Sequence, residues 1–224
     1  MQQPPLAGVR VLEVGNYMAG PFCGMQLADL GADVIKVEDP RGGDLSRRLE
    51  PITGGESGNF VRLNRSKRSV ALDLKAPAAK EVFRRLSSHA DVIVENLRPG
   101  TMADLGLAPR DLLDANPRLI YAAVTGWGLN GPYADRPALD IIVQAMSGLM
   151  SVTGEPGRAP AKVGVSISDL AADEGLEESR EIAASRVLDL HDVGAEVREL
   201  HAAERPGHVV ADLEGAHTAE RRIG

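Results

Sequence analysis

Apolar residues fall along this chain in short β-branched blocks separated by longer amphipathic stretches. Val9 to Val14 reads as a strand, and the stretch from Ala19-Gly20-Pro21 through Leu30 reads as a helix closed by Gly31. Asp33 to Glu38 predicts a second strand. A glycine-rich loop follows, then a third strand over Arg68 to Leu74 and a helix from Pro77 to about His89. Proline suits a first helical turn, because its missing N–H would have no intrahelical partner there. Asp91 to Glu95 and Arg118 to Val124 complete the strands, with helical sequence from Pro109 between them. The spacing of Leu139, Ile142, Val143 and Met146 predicts a helix over Leu139 to Leu149.

Strand–helix–strand alternation of this kind predicts an α/β fold, a Rossmann-like parallel sheet with flanking helices. Such sheets bind ligands beyond the C-terminal ends of their strands. Here those ends carry Gly15-Asn16-Tyr17, Asp39 to Gly43, Asn96 to Gly100 and Thr125-Gly126-Trp127. From Asp173 the texture changes to a charge-dense run, after which come four of the 5 histidines and no aromatic residue. Residues 1–172 therefore read as one unit, and 173–224 as an atypical charged tail, irregular or partly helical.

Composition narrows the function classes. A net charge of -7 offers no basic field for nucleic acid or an anionic membrane surface. No apolar run approaches the roughly 20 residues that span a bilayer, and the first residues do not resemble a secretory signal. The single cysteine, Cys23, excludes an internal disulfide, fits a reducing cytoplasm, and has the apolar neighbours of a buried thiol. A nicotinamide site is disfavoured, since Gly-Asn-Tyr-Met-Ala-Gly after the first strand is not the Gly-x-Gly-x-x-Gly such sites require.

Several motifs in order carry more. Pro5 to Glu38, Asn64 to Lys75, Asp91 to Gly100, Asn116 to Tyr121, Gly126-Trp127-Gly128 with Gly131-Pro132, and Ser168 to Ala172 together resemble the family III CoA-transferases, whose close relatives are the α-methylacyl-CoA racemases. The resemblance stops at about residue 172, as if the chain were truncated or frame-shifted there. It implies an enzyme moving coenzyme A between an acyl-CoA and a carboxylic acid, with both as substrates, no permanently bound cofactor, no metal, and a homodimer when intact.

The resemblance makes Asp169 the nucleophile that forms an aspartyl anhydride and then an aspartyl-CoA thioester. By itself, an aspartate in this context reads more readily as a helix cap. Asp140 is implied as the acid supporting Asp169. Racemases resemble a His-Asp pair at this point, and Leu139 cannot transfer a proton, which disfavours that alternative. A non-catalytic CoA-binding remnant is the other alternative.

For coenzyme A the resemblance points to Arg41, Leu72, Lys75, Asn96, Leu97 and Arg98, with Lys75 and Arg98 meeting phosphates. Arg65, Lys67 and Arg68 form a second basic candidate. Three positions depart from relatives. Asp39 and Asp104 stand where some carry arginine, with Arg41 a substitute for the first. Met18 stands where formyl-CoA transferases carry a site glutamine.

Overall fold

The computed structural model describes residues 3–171 and the backbone of residues 187–189. In chain order the elements are β1 (Arg10–Val14), α1 (Ala19–Asp29), β2 (Asp33–Glu38), a 3-10 turn (Leu45–Arg48), the short hairpin β3 (Ile52–Thr53) and β4 (Glu56–Ser57), and α2 (Gly58–Asn64). Then follow β5 (Arg68–Ala71), α3 (Pro77–Ser87), β6 (Val92–Glu95), α4 (Thr101–Asp104), α5 (Pro109–Ala115), β7 (Ile120–Ala123), α6 (Asp140–Met146), a 3-10 turn (Leu149–Ser151), α7 (Ile167–Ala171) and β8 (Val187–Asp189).

The main sheet runs β5-β2-β1-β6-β7-β8, and every pairing in it is parallel. This is the predicted α/β architecture, with strands shorter than their apolar runs. The third strand stops at Ala71 rather than Leu74, because Asp73 caps a turn by accepting from the Lys75 N–H at 3.1 Å. The last long helix ends at Met146, where Gly148 takes a φ of 81° and turns the chain into the 3-10 turn. Three residues of the tail, expected to be irregular or partly helical, form β8 alongside β7. Their Val-Leu pair was too short to stand out against its charged surroundings. The rest of the 173–224 segment lies outside the described residues.

Two apolar layers cover the sheet. On one face Leu12, Val14, Val37, Ile93 and Tyr121 pack with Phe83, Met102, Leu107, Leu112 and Leu113 from α3, α4, α5 and their loops. On the other, Val11, Val34, Val94 and Ala122 meet Cys23 and Ala28 of α1. Cys23 is fully buried, as its neighbours suggested.

The second face also holds charge. Glu13 and Lys36 are register partners on β1 and β2. Their side chains are 0% and 1% exposed, and Lys36 Nζ lies 2.5 Å from Glu13 Oε1 and 2.9 Å from Asp44 Oδ2. Lys67 Nζ closes on the other Glu13 oxygen at 2.6 Å and donates to the carbonyl of Pro21 at 2.7 Å. Lys36 also donates to the Gly15 carbonyl, and Asp44 accepts from the Tyr17 N–H. Two cations and two anions thus tie the β1, β2 and α2–β5 segments at the sheet's C-terminal edge. Burial pulls the Lys67 ammonium below the ordinary lysine range, and Glu13 works against it.

Gly24 makes room for this network, since a Cβ there would come within 2.0 Å of Glu13 Oε2. Removing one member of such a network leaves an uncompensated buried charge, so Lys36→Met is expected to cost about 3–5 kcal/mol. Equilibrium urea unfolding measures this; a loss below about 1 kcal/mol would show that the ions do not hold the fold.

Candidate active site

Asp169 sits in the short helix α7, and its position is set from α6. Leu139 is extended, with a φ of -127°, and the next residue opens α6. Asp140 therefore lies in the first turn, a favourable place for an acid at a helix N-terminus. Its Oδ1 accepts from the Ser168 N–H at 3.0 Å, and its Oδ2 accepts from Gln144 Nε2 at 2.7 Å. One helical turn on, Gln144 is fully buried; its Oε1 accepts from the Val163 N–H at 2.8 Å, and its Nε2 also donates to the Val165 carbonyl at 3.3 Å. Two side chains of α6 thus fasten the 163–168 segment that delivers Asp169. Asp140, expected as the acid supporting Asp169, holds the backbone one residue before it. Gln144 was missed, because a glutamine at helical spacing carries no signal of its own.

The surroundings of Asp169 oppose its ionisation. Burial pushes its carboxyl up to about 6, and the neighbouring Asp140 charge adds to the effect. A carboxyl whose folded pKa lies above its unfolded value contributes stability below the unfolded value and loses it as pH rises through the folded one. The window here runs from 3.8 to about 6. Asp169→Asn is therefore expected to raise the melting temperature by a few degrees at pH 8, with no gain at about pH 4. Calorimetry across that range tests the assignment; an equal gain at both pH values would defeat it.

The predicted coenzyme A residues lie on neighbouring strand ends. Arg41 follows β2, but its guanidinium is engaged by Asp39, at 2.6 Å to Oδ2 and 3.0 Å to Oδ1. That contact holds the Asp39 carboxyl at about 2. Lys75, after β5, lies near enough to act on the same carboxylate. Arg41 and Lys75 thus share one exposed corner with Asp39. Leu72 donates its N–H to the Glu38 carbonyl at 2.9 Å and packs on the first core layer, as Leu97 does. Arg98 is exposed and forms no ion pair among the described residues.

Asn96 has a structural engagement. Its Oδ1 accepts from the Asn16 N–H and its Nδ2 donates to the Asn16 carbonyl, both at 2.9 Å, pinning the loop after β1. Gly15 and Gly20 leave space for it, each with a would-be Cβ 2.8 Å from Asn96 Oδ1. Next to that loop Tyr17 adopts a φ of 64°, uncommon outside glycine and most often found where a site over-determines the backbone. The second basic candidate does not form a free patch. Arg65 pairs with Asp29, Arg68 with Asp33, and Lys67 belongs to the buried network.

Two further carboxyls were not singled out by the sequence. Burial opposes ionisation of Glu38, yet Arg47, Ser69 and the Asp44 N–H outweigh it and hold the carboxyl at about 2. Glu95 has no cation among the described residues to offset its burial, which pushes it up to about 7 although it accepts from the Leu97 N–H at 2.7 Å. Both stand at strand ends inside apolar runs, where an acid is the visible signal.

Residues 6–173 match the model of CoA-transferase family III. The chain belongs to that family. Its relatives include succinate–glutarate CoA-transferase of Agrobacterium fabrum, 46% identical over 176 residues, which are 75% of this chain and 44% of that protein. The human succinyl-CoA:glutarate CoA-transferase is 41% identical over 168 residues, 75% of this chain and 38% of that one. Among solved structures, a CAIB/BAIF family protein from Brucella suis superposes with a TM-score of 0.78 at 35% identity, covering 92% of this chain and 60% of the other. The chain spans less than half the length of these curated family III relatives.

Proposed function

We propose that Asp169 is the nucleophile of a CoA transfer between an acyl-CoA and a carboxylic acid. The observation carrying this reading is a half-buried carboxylate with no cation beside it among the described residues, next to Asp140, on a segment fastened by Asp140 and Gln144. Poor solvation raises both the basicity and the reactivity of such an oxygen. Relatives named for succinate, glutarate and oxalate support carboxylic acids as acceptors.

The sequence of bonds balances without an external reagent. The Asp169 carboxylate attacks the thioester carbonyl; the C–S bond breaks, and CoA leaves as thiolate from a mixed anhydride. The thiolate attacks the Asp169 carbonyl, releasing the donor carboxylate and leaving an aspartyl-CoA thioester. The acceptor carboxylate attacks this thioester and expels thiolate, forming a second anhydride. Thiolate attack on the acceptor carbonyl then yields the new acyl-CoA and restores the Asp169 carboxylate. Arg41, Lys75 and Arg98 would meet the phosphates of coenzyme A, with Leu72, Asn96 and Leu97 shaping the strand ends beneath. Asp140 acts by positioning the Ser168 backbone. No nucleic acid or metal enters this scheme, and a homodimer is the assembly we expect of the intact enzyme.

A racemase reading would need a proton carrier beside Asp140, and Leu139 is exposed and apolar there. Incubation with succinyl-CoA followed by intact-mass and peptide analysis tests the proposal. An adduct on Asp169, absent in Asp169→Asn, is expected, with its formation rate rising as pH passes about 6. Tight binding of coenzyme A with no adduct at any pH would instead leave the chain a CoA-binding remnant.

A further inference from the structure

Glu95 is a buried acid with no part in the CoA-transfer scheme. It closes β6 between its register partners, Val14 of β1 and Ala123 of β7. Both partners belong to the first apolar layer, so the Glu95 side chain faces that layer, and the residue is 8% exposed.

Its contacts reach forward into the loop after β6. Oε2 accepts from the Leu97 N–H at 2.7 Å, and Oε1 takes a weaker bond from the Tyr121 hydroxyl at 3.4 Å. Leu97 is held twice, since its side chain packs on the same apolar layer. Its neighbours have anchors of their own. Asn96 grips the Asn16 backbone, and the Arg98 carbonyl accepts from the Thr101 N–H at 3.0 Å. The exposed Arg98 thus stands on a segment that Glu95 anchors at its centre.

No charge among the described residues offsets this acid. Tyr121 of β7 bears on it, but burial, and then Glu95 itself, push that phenol above its ordinary range, so it stays neutral. Glu13 of β1 and Lys36 of β2 pair with each other on the opposite layer. From α3, α4 and α5 the layer over Glu95 receives apolar side chains, Phe83, Met102, Leu112 and Leu113. Arg98 and Lys75, in the loops after β6 and β5, are exposed and do not act on it. A glutamine would accept the same Leu97 bond. What glutamate adds is a proton, and burial brings its gain or loss to about pH 7.

We infer that Glu95 is a positioning residue for the loop proposed to meet coenzyme A, holding Leu97 and Arg98 in place and taking up a proton when an anionic ligand settles on them. The CoA reading supplies the ligand; the hold on Leu97 does not depend on it. A phosphate on this loop repels a carboxylate but not a neutral carboxyl, so anion binding and protonation favour each other. Affinity for the anion is then highest with Glu95 protonated and falls as pH rises through about 7.

Asn-Leu occurs once in the sequence, at Asn96-Leu97. Isotopic labelling of asparagine carbonyl carbons and leucine amide nitrogens in the full chain therefore isolates the Leu97 amide resonance. That proton is expected to shift downfield with a midpoint of about pH 7 in the unsubstituted chain, and to stay unmoved in Glu95→Gln. Glutamine keeps the size and the acceptor, so this variant is expected to fold. Coenzyme A is then titrated at about pH 6 and about pH 8. Between these its dissociation constant should rise roughly threefold more in the unsubstituted chain than in Glu95→Gln, the size of a salt-screened repulsion between like charges. The comparison cancels the ionisation of the ligand's own phosphate and of Asp169.

A Leu97 amide that does not titrate, or that titrates equally in Glu95→Gln, overturns the assignment. Equal pH dependence of binding in the two chains overturns the proton link. A Leu97 amide that titrates with Glu95 while coenzyme A fails to bind at either pH rejects the CoA reading of the loop alone, and leaves the hold of Glu95 on Leu97 established.

Discussion

The buried pairing of Lys36 with Glu13 and Asp44 is the constraint on which the ligand edge depends. A lysine and a glutamate in register on central strands cannot be left unpaired, because each ion withdrawn from water costs several kcal/mol. Pairing them recruits the Gly15 carbonyl and the Tyr17 N–H, and Lys67 brings in the chain before β5. The loops that would surround a bound CoA ester are thereby set by charge balance, not by apolar packing alone. Apolar side chains of similar size would hold the sheet equally well, but would leave the backbone of residues 15–17 free to choose another course.

At the other end of the site the arrangement is reversed. Glu13 is surrounded by cations, whereas Asp169 has a like charge for a neighbour and burial against it. A single protein thus keeps one carboxylate inert and another under electrostatic stress within the same sheet-and-helix frame. Asp140 contributes in two ways: its oxygens fix the backbone that carries Asp169, and its charge discourages that residue from ionising.

The fold was largely legible because parallel strands covered on both faces are near-continuously apolar, and β1, β2, β6 and β7 announce themselves that way despite Glu13 and Lys36 within the first two. Asp169 and Asp140 were singled out through a resemblance in motif, and the structure places them near each other. What escaped the sequence was the partner of each charge. Lys67 reads as one of three basic residues in a row, yet its side chain turns inward to Glu13 while Arg65 and Arg68 turn outward to Asp29 and Asp33. Asn96 reads as a ligand group, yet its amide fits the Asn16 backbone on both sides. Spacing shows which residues are near in the chain; it does not show which opposite charge the tertiary fold presents, and that decides their roles.

Strand β5 ends the sheet on one side, and Arg68 at its start is clamped across to Asp33 on β2. An unprotected edge would offer its free backbone groups to any extended chain that drifts past. Here the approaching chain would first have to desolvate an exposed guanidinium and its carboxylate partner. The same ion pair that contributes little to holding the fold together thus discourages the sheet from growing between molecules, and it should do so less well as added salt screens it.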